Sequence, residues 1–562
     1  MDKIWLNSYP ANVKHEIDPN EYSSLSDLLN QAFQKHGDTP FSVCMERWMS
    51  YRELDQLSQA LGAWFQAQGL PAGSRIALML PNLPQFSVTM AAVLRAGYTC
   101  VNVNPLYTAR ELEHQLKDSG ASAIVILENF ASTLSEVIEH TQIQHTVLAS
   151  IGDLLGPFYG RWMTFAVRHL AKMVPEFELP LSDKHKVTSF KQAISEGRQL
   201  TFKSVPQSLD DIAFLQYTGG TTGLSKGAVL THRNIVAAIL QAETWFAPAL
   251  TRMPDLRKVN SIAALPLYHI FALTLCFLAI RQGSHLTLVP NPRDFGKFIE
   301  TLKTRPFHLM PGVNTLFNAL LQHPMFKTID FSHLCLTQAG GMAASEGTAR
   351  AWQAATGSAM IEGWGMSETC AIGTNNPVTQ TSFSGSIGLP LPSIDMAIKD
   401  EQGNSLAQGE SGEICIRGPN VMVGYYKQEE ETRKAFTPDG YMRTGDVGIM
   451  DERGFFRIVD RIKDMIIVSG FNVFPSELEN VISLCPGVVE CAAIGIPDAM
   501  QGETIKVFVV RNDSMLTEDA VAKYCQENLT GYKRPKYIEF RDELPKSNVG
   551  KILRRELRTA TH

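Results

Sequence analysis

The sequence predicts an α/β chain in two parts. A large N-terminal domain over 1–462 has mostly parallel sheets with packed helices, and a small α+β domain covers 463–562. Three observations predict this. At 562 residues the chain is too long for one core. Its first part alternates capped helices with short apolar strands, the pattern of a parallel sheet covered by helices. After Asp464 the pattern changes to strand pairs with a single intervening helix.

The elements follow in order. Ser50 and Glu53 form a capping-box pattern. Leu54, Leu57, Leu61 and Trp64 follow at helical spacing, and Gly69 ends that helix. Arg75 to Leu80 reads as a buried strand before Pro81. A helix from Gln85 to Ala96 stops at Gly97, and Cys100 to Val103 is the next strand. Thr108 and Glu111 make a second capping box, and Ala123 to Leu127 is a strand. Phe158 to Val174 reads as a helix with a polar stripe of Arg161, Thr164, Arg168 and Lys172. Such a helix either packs on the protein's own core or meets an anionic lipid surface. Ile212 to Leu215 ends a buried strand. Ile262 to Ile280 is apolar but contains Pro266 and His269, so it reads as strand, turn and buried helix rather than a membrane span. In the second part, Glu490 to Ile496, Thr504 to Val510 and Tyr537 to Phe540 are strands, and Thr517 caps a helix to about Leu529.

Composition narrows the function. With 44% hydrophobic and 19% charged residues the chain is not disordered. A net charge of −6 supplies no global basic field, so nucleic acid is not an expected partner. Nine cysteines lie scattered without C-x-x-C or Cys/His metal spacing, which suggests reduced thiols and a cytoplasmic setting. Met1 to Pro10 shows no apolar run of signal-peptide length. The expectation is a soluble protein, at most peripheral to a membrane.

The chemistry begins at Gln216-Tyr-Thr-Gly-Gly-Thr-Thr-Gly-Leu-Ser-Lys-Gly227. Thr218, Gly219, Gly220, Thr221, Thr222, Gly223 and Lys226 make a donor-rich turn after a strand. Glycines let backbone N–H groups approach a phosphate, hydroxyls add donors or a Mg²⁺ ligand, and Lys adds charge. A flexible polar surface loop would have the same composition. The order Ser225-Lys226-Gly227 excludes a Walker A loop, which needs Gly-Lys followed by Ser or Thr.

Further motifs follow in a fixed order. They are Leu265-Pro-Leu-Tyr-His269, Gly363-Trp-Gly-Met-Ser-Glu368, Gly385-Ser-Ile-Gly-Leu-Pro390 and Gly412-Glu-Ile-Cys-Ile-Arg-Gly418. Then come Thr444-Gly-Asp446, Asp460-Arg-Ile-Lys-Asp464, Ser469-Gly-Phe-Asn-Val-Phe-Pro475 and Pro545-Lys-Ser-Asn-Val-Gly-Lys551. Taken together with the Gly/Thr-rich loop, this set resembles the adenylate-forming superfamily of acyl-CoA synthetases and luciferases over nearly the whole chain. The likeness is greatest to bacterial long-chain fatty acid–CoA ligases, including the stretch Val103-Asn-Pro-Leu-Tyr-Thr-Ala-Arg-Glu-Leu-Glu-His-Gln-Leu.

The resemblance implies a fatty acid, ATP and CoA as substrates, with Mg²⁺ as cofactor. The small domain then rotates about a hinge at Lys463 between two half-reactions. It implies that Lys551 bridges the acyl carboxylate and the α-phosphate, and that Glu368 and Thr218 hold the metal. Asp446 accepts the ribose hydroxyls, and Arg461 contacts ribose or phosphate oxygens. Gly340 and Gly341 line the adenine and acyl site, together with the Trp364, Gly365, Met366, Ser367 segment. His269 lies by the acyl carboxylate, although a His in an apolar run also suits a core. Gly470 and Phe471 line the CoA path. Trp364 stands where the family commonly has Tyr; an indole either stacks on adenine or fills the core. Arg554 and Arg555 read as surface charges or a weak phosphate patch, and Tyr532 to Lys536 as a basic loop facing CoA phosphates or solvent. Partner expectations include peripheral contact with the inner face of a membrane and a homodimer. The rivals are a medium-chain or aryl acid–CoA ligase, a peptide-synthetase adenylation domain, and a catalytically inactive fatty-acid- or membrane-binding protein. Two observations count against the peptide-synthetase domain: no carrier domain follows, and Ile262 to Ile280 holds no carboxylate for an α-amino group.

Overall fold

Capped helices and apolar strands alternate through the first part of the chain. The Ser50 hydroxyl accepts the Glu53 N–H at 3.1 Å and opens the helix Tyr51–Ala67. Thr108 and Glu111 complete a reciprocal capping box ahead of Ala109–Ser119. Pro84, with its pre-set φ, starts the fully buried helix Pro84–Arg95. The computed structural model describes residues 3–180, 184–218, 225–252, 255–469, 471–498, 501–547, 550 and 552–559.

These units build an eight-stranded sheet. Its strands Lys186–Ser189, His145–Ala149, Ala123–Leu127, Arg75–Met79, Thr99–Asn102 and Ile212–Thr218 lie side by side and parallel. Lys226–Thr231 then turns back antiparallel on Ile212–Thr218. A nine-stranded sheet, parallel through its centre, carries Asn260–Ala263, Leu309–Gly312, Leu336–Ala339 and Met360–Trp364. The two sheets meet at the ends of their strands. The Asn82 amide donates to the carbonyls of Ala263 and Leu265 at 2.8 and 2.9 Å. The Gln216 amide donates to the Tyr268 carbonyl at 3.0 Å. In open parallel sheets this carboxyl edge is where ligands bind.

The apolar run from Ile262 divides as expected into strand, turn and the buried helix Ile270–Gln282. Among the described residues no helix is long and apolar enough to cross a membrane. A four-stranded antiparallel sheet, Asp395–Lys399, Gly412–Arg417, Met442–Met450 and Phe456–Arg461, follows. A turn closed by the Asp464 and Met465 N–H groups on the Arg461 carbonyl separates it from the next strand, Ile466–Val468. The remaining chain forms a five-stranded sheet with helices around the core of Ile466, Val468, Leu478, Ile505 and Val507.

One expectation needs correction. Arg554 is not a surface charge. It is largely buried and pairs with Glu479 at 2.7 Å and Asp464 at 3.2 Å. Those carboxylates raise its pKa against the opposing cost of burial. In the stripe on the helix near residue 160, Arg161 and Lys172 are exposed and Thr164 is half-buried. The helix runs Pro157–Phe165 and continues as a π-helical turn, Ala166–Leu170, and its Arg168 is spent on the buried carboxylate of Glu128 at 2.5 Å.

Candidate active site

Thr218 and Lys226 stand opposite each other in the hairpin register, so the Gly/Thr-rich turn joins two antiparallel strands. A Walker loop would join a strand to a helix. Gly219, Gly220, Thr221, Thr222 and Gly223 lie outside the described residues. The Lys226 ammonium pairs with Glu431 and sits 5.2 Å over the Tyr425 ring. The Tyr425 hydroxyl donates to Glu368 Oε1 at 2.9 Å. One tyrosine thus links the loop's cation to the candidate metal carboxylate.

Glu368 is buried, and burial holds its carboxyl above the usual range, opposed by the Tyr425 hydroxyl and the Arg461 charge. Its short turn Ser367–Thr369 packs against both strands of the hairpin, Ile212–Thr218 and Lys226–Thr231. Among the described residues no group of three or more His, Cys, Asp or Glu could cage a metal. A single buried carboxylate on a turn packed against the Thr218 strand fits Mg²⁺, which keeps water and phosphate oxygens in most of its positions. Tyr425→Phe removes a hydrogen bond to a charged group, worth about 1.5 kcal/mol. The half-maximal Mg²⁺ concentration for adenylation should rise about tenfold, which a Mg²⁺ titration of diphosphate release measures.

The segment leading to Glu368 is shaped by close packing. A Cβ on Gly365 would lie 2.2 Å from the Ala371 carbonyl carbon, so the position demands glycine. Cys370 and Ala371 both adopt left-handed backbone, φ 53° and 63°, without being glycine. Hydrogen bonds hold this strained pair: Ala371 N–H to the Met366 carbonyl at 2.8 Å, and Thr274 Oγ1 to the Cys370 carbonyl at 3.0 Å. Met366 N–H itself bonds Thr369 Oγ1 at 2.9 Å. Backbone strain of this kind persists where the surroundings over-determine it, commonly at functional sites.

Asp446 is 2% exposed and receives two partners. The Trp364 indole N–H donates to its Oδ2 at 2.8 Å, and the Arg461 guanidinium lies 3.0 Å from its Oδ1. Asp446 and Arg461 face each other across paired strands. Trp364 is therefore buried and hydrogen-bonded at once. Its N–H is committed to Asp446, and its ring packs so closely on Gly373 that a Cβ there would sit 2.5 Å away.

A neighbouring wall holds the remaining candidates. His269 caps the helix Ile270–Gln282, its Nδ1 accepting the Phe271 N–H at 3.4 Å. A Cβ on Gly340 would meet the Phe271 ring at 3.1 Å. Gly341, at φ 75°, lies against Val313, and so does Gly550, at φ 81°, whose Cβ would meet Thr315 Oγ1 at 2.3 Å. Lys551 follows Gly550 in the chain and lies outside the described residues, as does Gly470. Phe471 is exposed on the small sheet and stacks on Tyr532 at 4.9 Å, away from these residues. Lys463 lies exposed in the turn after Arg461. The basic loop near Tyr532 is largely exposed, with Tyr532, Arg534 and Lys536 facing solvent, and its lysines are paired. Lys533 pairs with Glu477 at 2.6 Å and Lys536 with Asp498 at 2.8 Å.

Tyr425, Glu431 and Glu362 escaped the sequence reading. Glu362 is buried, accepts the Ala344 N–H at 3.0 Å and is pushed up by burial to about 7. A carboxyl with a raised folded pKa stabilises the fold fully below its unfolded value of 4.5, and that contribution is lost as pH rises through about 7. Relative to wild type, Glu362→Gln should gain stability of the order of 3 kcal/mol between about pH 5 and about pH 8. Melting curves at the two pH values read the difference.

Comparisons with known proteins agree on one family. The AMP-binding enzyme family matches residues 29–426, and the AMP-binding enzyme C-terminal domain matches 477–551. A long-chain-fatty-acid–CoA ligase of Escherichia coli O157:H7 is 48% identical over 560 residues, covering 99% of this chain and 98% of that protein. A long-chain-fatty-acid–CoA ligase of Bacillus subtilis (strain 168) is 35% identical over 565 residues, covering 99% and 97%. The crystal structure of ATP-bound MatB from Rhodopseudomonas palustris superposes with a TM-score of 0.78 at 28% identity, covering 95% and 98%.

Proposed function

This chain belongs to the AMP-binding enzyme family, and from that premise we propose that it is an ATP-dependent long-chain fatty acid–CoA ligase. A fatty-acid carboxylate oxygen attacks the α-phosphorus of ATP and diphosphate leaves. The CoA thiol then attacks the acyl carbon and AMP leaves. A carboxylate alone would have to expel oxide, and the adenylate replaces that with a good leaving group.

One observation carries the reading. The link Lys226–Tyr425–Glu368 and the group Trp364–Asp446–Arg461 gather a cation, a metal-type carboxylate and a buried acceptor with two donors where three sheets meet, close enough that Arg461 and Asp446 act on the charge of Glu368. Both substrates are anions, and in-line transfer needs oriented donors and charge at that place. Mg²⁺ bound with ATP neutralises phosphate charge, and Glu368 and Thr218 are the oxygen ligands this chain would give it. Asp446 takes the ribose hydroxyls, Arg461 and Lys226 the phosphate side, and Gly340, Gly341 and Trp364 bound the adenine. His269 and Lys551 attend the carboxylate.

The domains divide at Lys463, which acts as the hinge. Rotation there exchanges Lys551 for the Gly470–Phe471 segment, which guides CoA. The enzyme works in the cytoplasm with a peripheral seat on the inner face of a membrane, and as a homodimer. The test is diphosphate release on mixing palmitate with ATP, followed by thioester formation on adding CoA. Octanoate and cinnamate in the same assay decide the acid class. Release favouring either of these would install the medium-chain or aryl reading, and no release with any acid would leave a binding protein.

A further inference from the structure

The helix Pro157–Phe165 and its π-helical extension to Leu170 are amphipathic in the inverted sense. Small and polar residues face the protein. Gly160 meets Gly152 so closely that a Cβ on Gly152 would lie 1.8 Å from the Gly160 carbonyl and 2.5 Å from Thr164 Oγ1. Val167 is buried, and Arg168 binds the buried Glu128 and the Ser150 hydroxyl. The Asn129 amide holds the far end through the Met173 carbonyl at 2.9 Å. Most of the large apolar residues face outward: Phe158 is 85% exposed, Trp162 57% and Leu170 67%, joined by Tyr159, Phe165 and Met173. Backbone contact and an ion pair fasten this element, so its apolar face is presented rather than left over. Monomeric soluble proteins rarely expose so much contiguous apolar surface without a partner.

We propose that this element is a lipid-docking platform that seats the enzyme on an anionic bilayer. Three features select a bilayer. The face mixes Trp, Tyr and Phe, whose amphipathic rings favour the membrane–water boundary. Arg161 and Lys172 flank it, and no carboxylate occurs from 154 to 175. The element is far too short to span, so it can only lie in the interface. Its position serves the proposed substrate, and to that extent the inference rests on the proposed function. His145–Ala149, which leads into the platform, and Ile212–Thr218 are parallel strands of one sheet, four strand spacings apart. At about 4.8 Å per strand, the platform rises from the same carboxyl edge roughly 19 Å from Thr218. A membrane-dissolved acid would enter at the same carboxyl edge as the proposed ATP site.

Co-sedimentation with phosphatidylglycerol–phosphatidylcholine vesicles tests this on the whole chain. Wild type should bind these vesicles and bind pure phosphatidylcholine at least tenfold more weakly. Phe158→Ser/Trp162→Ser should lose at least tenfold in binding. Arg161→Glu/Lys172→Glu should lose binding that low salt had strengthened. All variants should keep wild-type melting temperatures and wild-type rates on detergent-dispersed palmitate. Equal vesicle binding by wild type and the serine variant would overturn the proposal. So would a wild-type dimer in gel filtration that the serine substitutions dissociate while vesicle binding is absent, which would assign the face to a second copy. Activity on dispersed palmitate without vesicle binding would sink the platform alone. Vesicle binding without any long-chain thioester would sink the proposed function and leave the platform standing.

Discussion

Lys551→Ala is expected to slow acyl-adenylate formation by about 10²–10³-fold, the usual cost of losing one strong donor to a developing charge. The preceding residue, Gly550, lies against Val313 and Thr315, on the wall that also carries Gly341. The role proposed for the lysine that follows in the chain rests on that placement of Gly550. Thioester formation from supplied acyl-adenylate should change much less, because that step does not charge the same oxygens. Single-turnover diphosphate release and thioester formation, measured separately, give the two rates. Adenylation at the wild-type rate would remove Lys551 from the mechanism.

Asp446→Ala should raise the KM for ATP about 100-fold, corresponding to about 3 kcal/mol for two hydrogen bonds to a carboxylate. The structure adds a second consequence. The indole N–H of Trp364 and the guanidinium of Arg461 both lose their acceptor, and a deserted buried partner costs stability as well. Asp446→Asn keeps an acceptor oxygen and should fall between the two. Initial rates against ATP concentration, with melting temperatures for both variants, separate binding from folding. An unchanged KM for ATP in the alanine variant would assign Asp446 to structure alone.

Much of the large domain was legible because its signals are local. Ser50 and Thr108 cap the helices they were read to cap, since a cap depends on a residue three positions away. The four-stranded antiparallel sheet was not read. Its strand Met442–Met450 alternates buried and half-buried positions, but Gly445, Asp446 and Gly448 occupy it, so its sequence lacks apolar alternation. Tyr425 and Arg554 were missed for another reason. Their partners Glu368, Asp464 and Glu479 lie 57 to 90 residues away, and no periodicity records such a pairing. The helix at Pro157 shows a third limit. A period identifies a face but not which side of it meets the protein; the Gly152–Gly160 contact and the Arg168–Glu128 pair fix that.

The Arg554 cluster bears on how the enzyme divides its time. Arg554 ties Asp464, just past the hinge turn, to Glu479 in the helix Pro475–Ile482, and Arg558 adds a second contact to Asp464 at 3.4 Å. The proposed hinge is thus followed at once by a cross-braced unit that includes the C-terminal helix. In the proposed mechanism, Lys551 and the CoA-guiding segment would then ride on one lever and would not engage together. Each half-reaction runs only during its share of the cycle, and its apparent affinity is reduced by that share. A substitution that favours one posture taxes the other by the same free energy. Overall turnover is then greatest when the two occupancies match the two chemical rates, and a tighter grip on either substrate alone does not raise it.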